Sequence, residues 1–302
     1  MTDTGTADIS DIDGSLIDVA TLARLLTDRS VAPSSLPIVC DVRFDLADHD
    51  AGRRAHASGH IPSALFVDLH LDLAAHDGSS PTGGGRHPLP TTAAFARTLG
   101  RLGITPDRSV VAYDASGGAF AARLWWMLRA AGHRRIAVLD GGLPAWERAG
   151  HGLVAGDDEH PVAPGAPYPV PDAWPGVVTA DEVATAVSAG RTVVDARAPE
   201  RYRGETEPFD RMAGHIPGAV NHFNGLNLAP DGRHRSPDDL RSLLAPLVAQ
   251  GTPIVYCGSG VAACHEILAL HLAGFDDGAV LYPGSWSEWS SDPARPVATG
   301  NS

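Results

Sequence analysis

The sequence predicts an α/β chain of two tandem domains, each a mainly parallel sheet flanked by helices, and three observations carry that prediction. The first is an internal duplication. GHIPSA (Gly59–Ala64) returns as GHIPGA (Gly214–Ala219), and IVCDVR (Ile38–Arg43) returns as TVVDAR (Thr192–Arg197). The two pairs are offset by 155 and 154 residues, so one repeat accounts for both. The second is the stretch GDDEHPVAPGAPYPVPDAWPG (Gly156–Gly176). Its prolines fix φ and lack an amide donor, so it fits neither a helix interior nor a central strand and reads as a semi-rigid linker. The expected boundaries are therefore 1–155, a linker over 156–176, and 177–302. The third is the alternation of short apolar runs with helical patterns in each half, which implies a parallel sheet covered on both faces.

Taken in order, the first half places strands at IVCDVR, VVAYD (Val110–Asp114) and IAVLD (Ile136–Asp140), with a helix over Ala119–Gly132. In the second half Thr179 and Glu182 form a capping-box signature ahead of VATAVSAG, and the strand TVVDAR follows. Ser236 caps a helix whose first turn holds Pro237. PIVYC is the next strand. A helix from about Val261 to Ala273 stops at Gly274, and AVLY (Ala279–Tyr282) is a further strand.

Composition narrows the chemistry. All 23 basic side chains are arginine, which excludes a Schiff-base lysine, a pyridoxal phosphate anchor and a P-loop lysine. Arginine is well suited to carboxylate or sulfonate groups, which its fork binds bidentately. A net charge of −13 argues against nucleic acid and anionic membrane surfaces. The three cysteines, Cys40, Cys257 and Cys264, have no paired spacing, which points to a reducing compartment. The amino-terminal segment has no basic or apolar signal region, and no run approaches the ~20 residues of a membrane span. A cytoplasmic protein is expected, without cofactor or metal.

Cys257 ends a strand where the chain turns into a helix, the edge at which ligands bind in open α/β sheets. Backbone amides and the helix dipole converge on such a turn and favour the thiolate, the nucleophilic form. Gly258 and Gly260 let the backbone wrap closely there. Cys40, mid-strand, and Cys264, inside the helix, read as packing residues. A cysteine phosphatase would need arginine at residue 263, and the sequence has Ala263.

These segments resemble the tandem-domain sulfurtransferases, rhodanese and 3-mercaptopyruvate sulfurtransferase. The resemblance runs from about Asp18 to Ala298 through GHIPSALFVDL, GRHPLP, RLWWMLRAAGH and VLDGGLPAW, then DARAPERYRG, AGHIPGAVN, YCGSGVAACH and LYPGSWSEW. It implies two rhodanese domains, of which only the second carries the catalytic cysteine, with no cofactor. The duplication agrees, since VVAYDASGG laid on PIVYCGSGV sets Asp114 opposite Cys257.

Rhodaneses that prefer thiosulfate carry cations in the loop after the cysteine. Here Gly258, Ser259, Gly260, Val261 and Ala262 are uncharged, which resembles the mercaptopyruvate branch. That branch implies Arg201 for the donor carboxylate. A second arginine should follow EP directly, where this chain has Phe209, so either Arg211 reaches in from two residues later or the second contact is missing. It also implies a relay through Ser259 and His87. His70 stands where that relay's acid belongs, and Ala262 where threonine is usual. Arg197 reads as a structural partner of nearby acids, and His60 and His215 as turn-structuring residues. The expected reaction takes sulfur from a small anionic donor, 3-mercaptopyruvate, to a thiol, a thioredoxin-like protein or cyanide through a Cys257 persulfide. The alternatives are a thiosulfate-preferring enzyme and a weakly active persulfide-carrying module.

Overall fold

A computed structural model describes residues 12, 15–28, 30, 32, 35–76, 78–156, 168–275 and 279–301. Most of the expected linker, 157–167, lies outside the described residues. The chain divides into two compact units. One comprises Met1–Leu69 with Ala93–Val170, the other His70–Thr92 with Pro171–Ser302. The segment His70–Thr92 thus belongs with the second unit, although it precedes the linker in sequence.

In the first unit β1 (Leu16–Ile17), β2 (Ile38–Asp41), β3 (Leu65–Phe66), β4 (Val110–Tyr113) and β5 (Ile136–Leu139) form one sheet. Their order is β1-β5-β4-β2-β3 and every pairing is parallel. Strands β2, β4 and β5 are buried along their whole length, as strands covered by helices on both faces must be. Ile17, Leu22, Val39, Val111, Tyr113, Leu139 and Trp146 share one core cluster.

The second unit holds β6 (Val193–Asp195), β7 (Val220–Asn221), β8 (Ile254–Tyr256) and β9 (Val280–Leu281) in the order β7-β6-β8-β9, again all parallel. Strand for strand this repeats β3-β2-β4-β5. Its core gathers Val193, Ile216, Ile254, Tyr256, Tyr282, Trp286 and Trp289. The expected caps are present. Thr179 and Glu182 close a capping box, and the Ser236 side chain accepts from Asp239 N ahead of the helix Pro237–Val248. Gly274, at φ +77°, follows the helix Ala262–Leu272 as predicted.

The repeated motifs form the same internal brace twice. Arg43 binds Asp41 and donates to Gly59 O at 2.8 Å, while Arg197 binds Asp195 and donates to Gly214 O at 2.6 Å. Tyr113 Oη accepts from Ile61 N, and Tyr256 Oη from Ile216 N, both at 3.2 Å. The rings of His60 and His215 are buried and each bonds a backbone carbonyl at 2.8 Å. Among the described residues, no helix is long and apolar enough to cross a membrane.

Candidate active site

The chain order reverses between β6 and β8, so the carboxyl end of β8 lies at a topological switch point of its sheet. Cys257 stands there, 3 % exposed. Its N–H donates to Ser285 Oγ at 3.1 Å, and its carbonyl accepts from Trp286 N at 3.0 Å. Gly258 O accepts from Ser287 N at 2.9 Å. The loop is therefore tied on one side to the short helix Ser285–Trp289. On the other side it runs through Val261 into the helix Ala262–Leu272, and the Val261 carbonyl accepts from Cys264 N at 3.0 Å.

The two loop glycines have different reasons. At Gly260, φ is +77° and a Cβ would run into the Pro283 carbonyl oxygen, so backbone geometry requires glycine. At Gly258 the neighbours are side chains. A Cβ there would stand 2.9 Å from Arg86 Nη2 and 3.4 Å from Arg201 Nη1. The close wrapping expected of Gly258 from the sequence leaves room, in part, for two guanidinium groups.

Arg201 lies beside the loop at Gly258, and Arg211 is not among that position's nearest neighbours. Arg211 is exposed, and the second guanidinium at Gly258 comes from Arg86. Arg201 Nη2 donates to Glu207 Oε1 at 2.7 Å and approaches Asp210 Oδ2 at 3.5 Å. Arg86 pairs with Asp210 through Nη1. Phe209 packs against both, its ring centroid 5.4 Å from Arg86 Cζ and 5.3 Å from Arg201 Cζ. Arg197 is the buried structural partner that the sequence suggested. Burial opposes its charge, but Asp195, Tyr256 and Glu207 outweigh that and hold it above the ordinary arginine value.

Ser259 Oγ and His87 Nδ1 share a hydrogen bond at 2.9 Å, and both residues are buried. Beyond His87 stands an imidazole where an acid was expected, with the His70 ring centroid 6.1 Å away and edge-on. Val261 is the residue before the helix, and Ala262 begins it. Cys264 donates to Gly260 O at 3.3 Å from inside that helix, and Cys40 is fully buried in β2, as packing residues would be.

The equivalent loop of the first unit is filled by its own anion. After β4, Leu143 N donates to Asp114 O at 2.8 Å, the counterpart of the Trp286–Cys257 bond. Asp114 therefore occupies the cysteine's place. Its carboxylate accepts from four backbone N–H groups, those of Ser116, Gly118, Phe120 and Ala121, at 2.7–2.9 Å.

Two parallel-sheet units with a strand–loop–helix cradle at the same sheet edge define a duplicated α/β enzyme fold. Comparison with known proteins agrees. The rhodanese-like domain model matches residues 18–149 and 179–292. A Pseudomonas aeruginosa protein provisionally named 3-mercaptopyruvate sulfurtransferase is 46 % identical over 287 residues, covering 92 % of this chain and 99 % of its own. A Mycobacterium tuberculosis protein provisionally named a thiosulfate sulfurtransferase is 44 % identical over 87 % of this chain and 90 % of its own. The structure of 3-mercaptopyruvate sulfurtransferase from Leishmania major superposes with a TM-score of 0.77 at 30 % identity, covering 92 % of this chain and 75 % of that one. The chain belongs to the rhodanese family, as one of its tandem-domain sulfurtransferases.

Proposed function

We propose that the protein transfers sulfur from 3-mercaptopyruvate to a nucleophilic acceptor through a persulfide on Cys257, with the 177–302 half, together with the segment His70–Thr92 of the same unit, carrying the chemistry. The Cys257 thiolate attacks the donor's sulfur. The carbon–sulfur bond breaks toward carbon, and the resulting enolate takes up a proton to leave as pyruvate. A small thiol, a thioredoxin-like protein or cyanide then attacks the outer sulfur and releases Cys257 as thiolate. Arg201 holds the donor carboxylate, and the Ser259 hydroxyl, oriented by His87, holds its ketone. No cofactor enters either half of the cycle. Three free cysteines suit a reducing compartment, the cytoplasm.

The observation that supports this reading best is the first unit's loop. At the position equivalent to Cys257, a turn of the same construction surrounds a carboxylate with four amide donors. A cradle of that kind at β8 stabilises the negative sulfur of a thiolate or persulfide, whereas a packing cysteine would need none. The test is one exposure to mercaptopyruvate without acceptor, followed by intact and peptide mass spectrometry. One sulfur atom is expected on Cys257. Sulfur mapping to Cys40 or Cys264, or persisting in Cys257→Ser, would overturn the assignment.

A further inference from the structure

The loop after Cys257 carries no cation in its own sequence, yet two guanidinium groups stand over it within the same unit. Arg86 Nη2 and Arg201 Nη1 both lie within 3.5 Å of the point where a Gly258 side chain would begin. We propose that Arg86 is a donor-binding residue: with Arg201 it forms a two-cation seat that grips the anionic group of the sulfur donor beside Cys257. Only the identity of the anion rests on the sulfur-transfer reading above; the charge at the cysteine can be measured without it.

Arg86 is held in register with the loop through a single residue. Ser287 N donates to Gly258 O at 2.9 Å, and Ser287 Oγ accepts from Arg86 N at 3.1 Å. One residue of the short helix thus fixes both the cysteine loop and the Arg86 backbone. Two residues earlier, Gly84 N donates to Glu288 Oε1 at 2.8 Å. Gly85, at φ +100°, lies so close to the Gly284 carbonyl that a Cβ would stand 2.7 Å from it. The segment is pinned at several points, so the guanidinium is positioned rather than draped.

Its chemistry then follows from what surrounds it. Asp210 contacts both arginines and Glu207 contacts Arg201, so two like charges are held together by shared acids. Phe209 provides a shared aromatic face. Arg86 Nε and Arg201 Nε are buried and donate to nothing among the described residues. A buried guanidinium donor without an acceptor is costly, and a carboxylate or sulfonate edge satisfies it with a charge-assisted bond. Phe209 at the place of a second arginine is therefore not a simple loss. The cation arrives from a different segment, and the phenyl ring supports it.

A mere structural ion pair between Arg86 and Asp210 would make a different prediction, and alkylation of Cys257 separates the two. Iodoacetate and iodoacetamide share a leaving group and differ in charge. In Arg86→Ala the rate with iodoacetate should fall about tenfold, the size of one contact to a charged group. The iodoacetamide rate, read on the Cys257 peptide, should change less than about twofold. Arg86→Lys should restore most of the iodoacetate rate, and Arg86→Gln should not. With mercaptopyruvate, Arg86→Ala should raise KM about tenfold with a smaller effect on kcat. Equal slowing of both reagents would show that Arg86 only shapes the loop, and no change in either would remove it from the site. Both outcomes overturn the proposal while leaving persulfide formation by the unmutated protein intact. A shifted alkylation ratio in a protein that forms no persulfide would instead uphold the seat and sink the donor.

Discussion

Ser285 shows how much one residue can decide beside Cys257. Its φ of 54° is left-handed, and its counterpart after β5, Gly142, has φ 55°. Glycine adopts that geometry freely, whereas serine pays strain of ~1 kcal/mol or more. What the serine adds is a buried hydroxyl that accepts from Cys257 N and donates to Tyr282 O at 2.9 Å. Ser285→Ala removes the acceptor while the strain stays as it was, so a loss of ~1–3 kcal/mol in stability is expected. Ser285→Gly removes the acceptor and the strain together and should lose less. Chemical denaturation of both variants measures the order, and an alanine variant as stable as the glycine variant would refute it. None of this was legible in the sequence, where Ser285 is one serine of PGSWSEW. Arg86 was equally hidden, because no spacing ties a single arginine in GRHPLP to a loop more than 170 residues later. The signal that could have found it is the run Gly83–Gly85, since consecutive glycines mark close backbone approach.

At the scale of elements, the buried inner strands, the edge strand β9 and the capped helices were legible, and the short strands β1, β3 and β7 were not. The strands β2, β4, β5, β6 and β8 coincide with the apolar runs, because burial on both faces makes such strands continuously hydrophobic. β3 and β7 are two residues each and follow the GHIP turns; Val220 is 43 % exposed, so no apolar run announces its strand. The loops after β4 and β8 are the elements that diverged in chemistry while keeping their place in the sheet. Asp114 satisfies four backbone donors and so should matter for folding and not for sulfur transfer. Asp114→Ala leaves those N–H groups without a carboxylate, at a cost of about 3 kcal/mol or more. The variant should melt well below the unmodified protein, yet its folded fraction should still form the Cys257 persulfide in full. Loss of persulfide formation in folded Asp114→Ala would mean that the first unit contributes to the chemistry.

At the scale of the whole molecule, the duplication was the strongest sequence signal because two motifs at one offset constrain each other. What it hid was the allegiance of His70–Thr92, which sequence order assigns to the first half and packing assigns to the second unit. That segment also changes the basis of donor choice. Uncharged loop residues alone suggested poor binding of a dianion, but Arg86 and Arg201 place cations at the loop. Each of these is already paired with Asp210 or Glu207, so every added negative charge on a donor also meets those acids. Unit charges ~4 Å apart interact by about 4 kcal/mol at an effective dielectric of 20, so the second charge of thiosulfate is a substantial liability. The remaining field, from a net charge of −13, repels a dianion about twice as strongly as the monoanionic mercaptopyruvate. We expect kcat/KM for mercaptopyruvate to exceed that for thiosulfate by at least about tenfold at low ionic strength, a gap of ~1.4 kcal/mol. Salt shortens the reach of the field from ~10 Å at 0.1 M to ~3 Å at 1 M, so the gap should narrow as salt is raised. A gap that holds constant with salt would assign selection to contacts within the seat alone, and equal efficiency with both donors at low salt would refute the electrostatic account.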